Sequence, residues 1–521
     1  MDRDEMLERL GQTSETWDII IIGGGATGLG CAIEAASRGY RTVLLEAGDF
    51  ARGTSSRSTK LAHGGVRYLQ QGNISLVLEA LRERGRLRQN APHLVHDLPF
   101  IVPNYDWWEA PFYGIGLRLY DVLAGKLGFG PSRNLSKEET LDHLPTIETK
   151  GLRGGVIYHD GQFDDARLAI DMAQTASDLS ATVLNYVRVA ALTKTNGLVR
   201  GVRAIDEESG EEIALEGRVI VNATGPFSDA VRQLDDAEAR PMIRPSQGVH
   251  IVLDRSFLPG NSAIMVPHTD DGRVLFAIPW LGRLLVGTTD TPIDHATYEP
   301  IPLAEEIDFL VEHTARYLTK DPSRDDISSA FAGIRPLVSA SPGEDTADIS
   351  RDHTVHISRS GLLTIAGGKW TTYRKMAEDA IDQAAIVGSL PERPSVTKNL
   401  RLHGYHREAA QFGELATYGA DAPAVRDFLR NDPHLDERLH PALDVRAGEI
   451  VWAVRHEMAR TVEDFLARRS RALLLDARAA IDVAPKVADL MADTLGRSNA
   501  WKRTQVAAFT NLGRQYLGVS P

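Results

Sequence analysis

The chain has 521 residues, well beyond the ~100–200 typical of one domain, so two or three domains are expected. With 43% hydrophobic and 25% charged residues it reads as globular protein, which excludes disordered, collagen-like and disulfide-scaffold classes. Its net charge of −13 argues against a chain that coats nucleic acid, and its single cysteine, Cys31, excludes an intramolecular disulfide and argues against cysteine-ligated zinc or iron–sulfur sites.

Residues 1–16 are charged and lack the apolar core of a secretory signal. Nowhere do ~20 apolar residues run together as a spanning helix needs. The longest candidate, 107–130, is interrupted by Glu109, Arg118, Asp121 and Lys126. The expectation is an intracellular protein without a membrane span, which leaves contact with a membrane surface open.

Taken in chain order, Trp17-Asp18-Ile19-Ile20-Ile21-Ile22 reads as a buried strand running into Gly23-Gly24-Gly25-Ala26-Thr27-Gly28 and a small-residue helix over 29–38. Gly39 ends that helix, and 42–46 reads as a second buried strand, completing a β-α-β unit. The Ser- and Gly-rich stretch 54–69 is loop-like, and 74–90 is helical, with Leu76, Leu78, Leu81 and Leu87 at one-turn spacing. Residues 183–225 alternate like strands, with turns at Asn196-Gly197 and Ser209-Gly210. A second β-rich stretch covers 248–290, with a hairpin near 280–283. After the apolar run 362–366 comes Gly367-Gly368 and a helix over about 371–387. A domain boundary falls near 395, beyond which the chain turns helical, with Val451, Val454, Met458, Val462 and Phe465 on one helical face.

Gly23-x-Gly25-x-x-Gly28 sits between strand and helix, as a dinucleotide fingerprint requires. The first glycine permits the tight turn, the second lets backbone approach a diphosphate, and the third allows close helix–strand packing. Glu46 follows at the end of the second strand, where a carboxylate can grip ribose hydroxyls and would repel a 2′-phosphate. These features leave FAD and NAD both open. Two further cues favour a flavin. Val219–Gly225 is an apolar strand ending in Ala223-Thr224-Gly225, and Gly367-Gly368-Lys369-Trp370-Thr371-Thr372-Tyr373-Arg374 lies at a strand-to-helix junction. Backbone N–H groups and Lys369 at such a junction would stabilise the negative charge of a reduced flavin.

Gly23–Gly28 with Glu46, the run Thr54-Ser55-Ser56-Arg57-Ser58-Thr59-Lys60-Leu61-Ala62-His63-Gly64-Gly65-Val66-Arg67-Tyr68-Leu69, Gly287-Thr288-Thr289-Asp290, Gly333-Ile334-Arg335-Pro336-Leu337 and Gly367–Arg374 together resemble the FAD-dependent, quinone-linked glycerol-3-phosphate dehydrogenases. The likeness runs from about residue 17 to Val454-Arg455-His456-Glu457-Met458-Ala459, nearly the whole chain. The resemblance implies an α/β fold: a Rossmann-like FAD-binding domain, a β-rich substrate cap domain and an α-helical C-terminal domain. The corresponding segments are 17–90, 150–240 and 360–394 for the FAD domain, 91–149 and 241–359 for the cap, and 395–521 for the helical domain.

The same resemblance implies oxidation of sn-glycerol 3-phosphate to dihydroxyacetone phosphate, with hydride passing to non-covalent FAD and electrons onward to a membrane quinone. It also implies a homodimer on the inner face of the cell membrane, cytoplasmic in exposure, with no metal and no nucleic-acid partner. Implied cofactor contacts are Gly23, Gly25, Ala26, Thr27, Gly28, Glu46, Thr54, Ser55, Ser58, Lys60, His63, Gly64, Gly65, Val187, Ala223, Thr224, Gly225, Asp290, Gly368, Lys369, Trp370 and Thr371. Implied substrate contacts are Arg67, Tyr68, His250, Arg335, Lys369 and Thr371. Arginine forks suit a dianionic phosphate, which assigns Arg67 and Arg335 to it. His250 and Lys369 are rival general bases, with Arg335 beside them in the catalytic set. The chain departs from the family pattern at Val249, where Ser or Thr is common, and at Thr291-Pro292-Ile293, where an aromatic is common. The aromatic stretch 107–129 and the basic run Arg468-Arg469-Ser470-Arg471 are candidates for a membrane-facing patch, or else cap structure and a solvated helix side. A peroxide-forming glycerol-3-phosphate oxidase, an FAD amine or hydroxy-acid oxidoreductase, and a non-catalytic flavin-binding redox scaffold remain as alternatives.

Overall fold

The computed structural model describes residues 1–11, 16–65, 74–106, 116–117, 120–121, 123, 125, 128–267, 269, 274–339 and 352–518. The isoleucine run forms the strand Trp17–Ile22, buried at every residue but the half-buried Asp18, at the centre of an eight-stranded sheet. It pairs in parallel with Thr42–Leu45 on one side and Glu212–Asn222 on the other. Thr182–Leu184 extends the sheet at one edge, and Leu363–Gly367 then His353–Ile357 extend it at the other. Strands buried on both faces need continuous apolar sequence rather than alternation, which is what 19–22 and 219–221 supply. A Val187–Thr195, Leu198–Asp206 and Glu212–Asn222 meander completes the sheet, turning at the two predicted turns.

Helix Ala26–Ser37 packs on this sheet through small residues. A Cβ at Gly30 would lie 2.9 Å from the Tyr373 ring, so the glycine is what lets helix Tyr373–Val387 approach it closely.

A second, ten-stranded sheet contains Val95–Asn104, Gly154–Phe163, Ile243–Asp254, Ala263–Val266, Leu275–Trp280, Arg283–Gly287 and Ser329–Val338. The expected segment limits need correcting here. Leu61–Ala62 and Gly154–Phe163, assigned to the FAD segments, belong to this second sheet, because Leu61–Ala62 pairs with Gly161–Gln162 and Gly154–Phe163 pairs along its length with Val95–Asn104. His353–Ile357, assigned to the cap, instead pairs with Leu363–Gly367 in the first sheet.

The C-terminal part is mostly helical, with one small hairpin, Arg438–His440 and Leu443–Arg446. The predicted apolar face is buried, but it is not one helix. Helix Ala447–His456 ends, and a π-helical turn, Asp464–Arg469, follows. Helix Ala477–Leu495 continues through Pro485. Cap residues Phe100, Val252 and Phe331 share one apolar core with Ile450, Phe465 and Leu473, so the helical part is cemented to the cap sheet.

The basic run is likewise corrected. Arg468, Arg469 and Arg471 are buried, neither membrane-facing nor solvated. Arg468 and Arg469 close on the buried Asp49 at 2.5 Å each, and Arg471 pairs with Asp164 at 3.0 Å.

A second tie between the parts is His403, whose Nδ1 lies 2.7 Å from Asp178 and Nε2 2.8 Å from Asp421. Burial opposes its charge, but the two carboxylates outweigh it and push the imidazole up to about 10. A raised folded value stabilises fully below the unfolded value of ~6.5 and is lost as pH climbs to about 10. The melting-temperature gap between the native chain and His403→Gln should therefore be widest below ~6.5 and close near pH 10; a gap independent of pH would contradict this coupling.

Candidate active site

The dinucleotide fingerprint folds into a cradle that leaves no room for side chains. A Cβ on Gly28 would sit 1.8 Å from Gly23 O, and one on Gly23, whose φ is +110°, would sit 2.7 Å from Ala223 O. Gly25 caps helix Ala26–Ser37 without any side-chain cap bond, so the helix N-terminus opens onto the cleft, where backbone N–H groups suit a diphosphate. Ser55 Oγ accepts from Ala26 N at 2.9 Å. Glu46 accepts from Gly24 N at 2.6 Å and Gly48 N at 2.8 Å. Burial raises its carboxyl against the pull of those two bonds.

The cleft is lined by Gly23, Gly25, Ala26, Thr27, Glu46, Thr54, Ser55, Ala223, Thr224, Gly225, Gly368, Lys369 and Trp370, as the sequence suggested. Arg52, Arg188, Phe227 and Tyr298 also line it. Sequence reasoning missed these four, since no local motif marks them.

A smaller cavity adjoins the first. Thr54, Pro336, Gly367, Gly368, Lys369 and Trp370 belong to both walls. Ser58, His63, His250, Arg335 and Thr371 line the smaller one.

Its floor follows from strand register. Ser246, Gly248 and His250 of strand Ile243–Asp254 face Arg335, Gly333 and Phe331 of strand Ser329–Val338, and alternate residues share a face. The glycines make the space. A Cβ on Gly248 would lie 2.4 Å from Arg335 Nη2, and one on Gly287 2.2 Å from His250 Cδ2.

His250 stacks on Phe331 at 5.0 Å, and its Nε2 lies 2.9 Å from Thr59 Oγ1. Its Nδ1 is buried with no hydrogen-bond partner among the described residues. Burial, then Lys60 and Arg335, hold the imidazole well below its usual value, so it is neutral at pH 7.

Several expected contacts lie elsewhere. Lys60 is wholly buried on Asp165, at 2.6 Å, and its ammonium also reaches Ser56 O, so it lines neither cavity. Asp290 serves Arg335 rather than a cofactor: its carboxylate pairs with Arg335 Nη1 at 3.0 Å and accepts from Ser246 Oγ. Arg335 is further held by Thr288 Oγ1, Thr289 O and Gln247 O. Val187 is buried in the sheet, its N–H on Glu46 O, and its neighbours Arg188, Val189 and Ala190 line the cleft instead. Gly64 donates to Tyr120 Oη, and Gly64 and Gly65 line neither cavity. Arg67 and Tyr68 lie outside the described residues, as does most of the aromatic stretch 107–129.

Comparison with known proteins agrees with this geometry. Residues 18–374 match the family described as FAD dependent oxidoreductase, and residues 362–502 match the C-terminal domain of alpha-glycerophosphate oxidase. The chain is 41% identical to human mitochondrial glycerol-3-phosphate dehydrogenase, over 97% of this chain and 74% of that one. It is also 41% identical to the Arabidopsis thaliana mitochondrial enzyme, over 92% of this chain and 83% of that one. The chain belongs to the FAD-dependent glycerol-3-phosphate dehydrogenase family.

Among solved structures, glycerol-3-phosphate dehydrogenase from Bacillus halodurans complexed with FAD matches with a TM-score of 0.81 and 29% identity, covering 99% of this chain and 97% of that one. L-alpha-glycerophosphate oxidase from Mycoplasma pneumoniae shares the fold, at 0.58 and 17% identity, over 74% of this chain and 99% of that one. As a member of this dehydrogenase family the chain is an oxidoreductase and a flavoprotein, and the glycine cradle with Glu46 fits FAD. Among the described residues no helix is long and apolar enough to cross a membrane, and no group of His, Cys, Asp and Glu is placed to hold a metal ion.

Proposed function

We propose that this member of the family oxidises sn-glycerol 3-phosphate to dihydroxyacetone phosphate and passes the electrons to a membrane quinone. The supporting observation is a single one: the dinucleotide cleft and the His250–Arg335 cavity share the Gly367–Trp370 wall.

When bound, FAD would supply the two-electron acceptor for the alcohol carbon. The chain's own groups do the rest. Arg335, braced by Asp290, and Lys369 bring positive charge to the smaller cavity, which suits a phosphate ester. Arg67 and Tyr68 extend the phosphate site in this reading, and Thr371 adds a hydroxyl. His250, neutral and on the wall of the smaller cavity, is the group to take the hydroxyl proton. The Lys369 side chain and the backbone leading into helix Tyr373–Val387 would stabilise charge gathered on the ring edge.

The reading includes a homodimer on the inner face of the cell membrane, the side from which a cytoplasmic enzyme meets both substrate and quinone. Anaerobic addition of glycerol 3-phosphate to the purified flavoprotein should bleach the oxidised flavin absorbance. No bleaching overturns the proposal, and peroxide release under air matching dye reduction would move the acceptor from quinone to oxygen.

A further inference from the structure

A surface cleft shares no residue with either cavity described above. It lies where helix Ile74–Asn90 meets the segment that leads into the helical part, and Arg88, Gln89, Asn399, Arg401, Tyr405 and Arg407 line it. No Asp or Glu is among its lining residues, in a chain whose net charge is −13. None of the three arginines forms an ion pair among the described residues, in contrast to the buried arginines of the helical part.

Aromatic rings hold the guanidinium groups in place. Arg401 stacks over Tyr405 at 4.5 Å, Arg407 Nε donates to Tyr405 Oη at 2.9 Å, and Arg88 lies 4.6 Å over Phe129. Such stacking lowers the ordering cost of a second ligand contact, because the planar fork is already oriented. Two of the carbonyls at the end of this helix are engaged: Leu87 O accepts from Ala91 N, and Asn90 O from Leu402 N.

We propose that this cleft is a second anion site, built to bind a phosphate ester away from the reacting centre. Arginine forks with amide and hydroxyl donors match tetrahedral oxyanions, and the lack of any carboxylate selects against cations. The shared chemistry is a phosphate group, supplied either by a small phosphorylated molecule or by the headgroup of an anionic lipid. The inference stands apart from the oxidation proposed above.

The test titrates the holoenzyme with inorganic phosphate by calorimetry, comparing it with the Arg401→Gln/Arg407→Gln double variant. The double variant should lose one phosphate per chain, or bind it at least about tenfold more weakly, with flavin content and saturated turnover unchanged. Equal stoichiometry and affinity in the two proteins would overturn the proposal. A second arm sediments both with phosphatidylglycerol and with phosphatidylcholine vesicles. Loss of phosphatidylglycerol binding in the variant assigns the site to a lipid headgroup. Retained vesicle binding alongside lost phosphate binding assigns it to a free phosphate ester. Because turnover is read separately, failure of the oxidation proposal leaves this comparison intact.

Discussion

His250→Asn should slow bleaching of the flavin by glycerol 3-phosphate about 10²–10⁴-fold, the range a positioned general base contributes, while flavin content stays normal. Asparagine removes the titratable ring and keeps an amide at the Nδ1 position, while the Nε2 contact with Thr59 and the stack on Phe331 go with the ring, so flavin content is the control for folding. The pH profile separates a base from a merely structural residue. A base acts in its neutral form, and burial with Lys60 and Arg335 nearby lowers the folded value of His250 well below 6.5. The neutral form therefore persists as pH falls through 6.5, and kcat of the native enzyme should hold there, failing only at distinctly lower pH. A rate unchanged in His250→Asn would transfer the proton to Lys369. An acid limb centred at or above 6.5 that vanishes in the variant would contradict the environment described for the imidazole.

The largest effect on stability should come from Asp49→Ala. Asp49 is fully buried, and its carboxylate takes Arg468 Nε and Arg469 Nη1 at 2.5 Å each and Arg469 Nη2 at 2.9 Å. Burial would raise the carboxyl, but Arg469 and Arg468 overcome it and hold it below the ordinary range. Removing it takes from buried Arg469 the carboxylate it holds with two hydrogen bonds and leaves buried Arg468 with only Glu463 and Asp464, a loss of about 3–5 kcal/mol. Asp49 lies three residues beyond Glu46, so the loop that grips Gly24 and Gly48 should loosen too, and the flavin should be released more readily. The checks are thermal unfolding of the holoenzyme and flavin retained after gel filtration. A melting temperature and flavin content equal to the native chain would show that the carboxylates already beside the arginines, Glu463 and Asp464 at Arg468 and Glu457 at Arg469, suffice to hold both charges.

How much of this was legible beforehand differed by the range of the interactions. Strand Trp17–Ile22, helix Ile74–Asn90 and the meander to Asn222 follow from local pattern and turn residues, and they appear where the sequence puts them. The glycine cradle is also marked locally, by the spacing of Gly23, Gly25 and Gly28, although Glu46, Ser55 and Ala223 close on it from farther along the chain. What could not be read is set by partners far along the chain. Lys60 resembles a ligand contact until Asp165 neutralises it. Asp290 resembles one until Arg335 claims it. The run 468–471 looks solvated because nothing nearby in sequence reveals that Asp49 and Asp164 will meet it. A charged residue's surroundings are a tertiary property, whereas apolar periodicity is a property of the element itself.

The strand order of the first sheet bears on biosynthesis. Its central strand leaves the ribosome some two hundred residues before its neighbour Glu212–Asn222, and Leu363–Gly367 follows later still. Parallel pairings across such separations close slowly, because loop entropy is lost before contacts repay it. The wall that divides the two cavities arrives with the last of these strands. Until then the nascent chain presents an open apolar edge and only a partial nucleotide cradle. The complete cradle, and with it firm retention of a flavin, therefore waits on the pairing of this last strand.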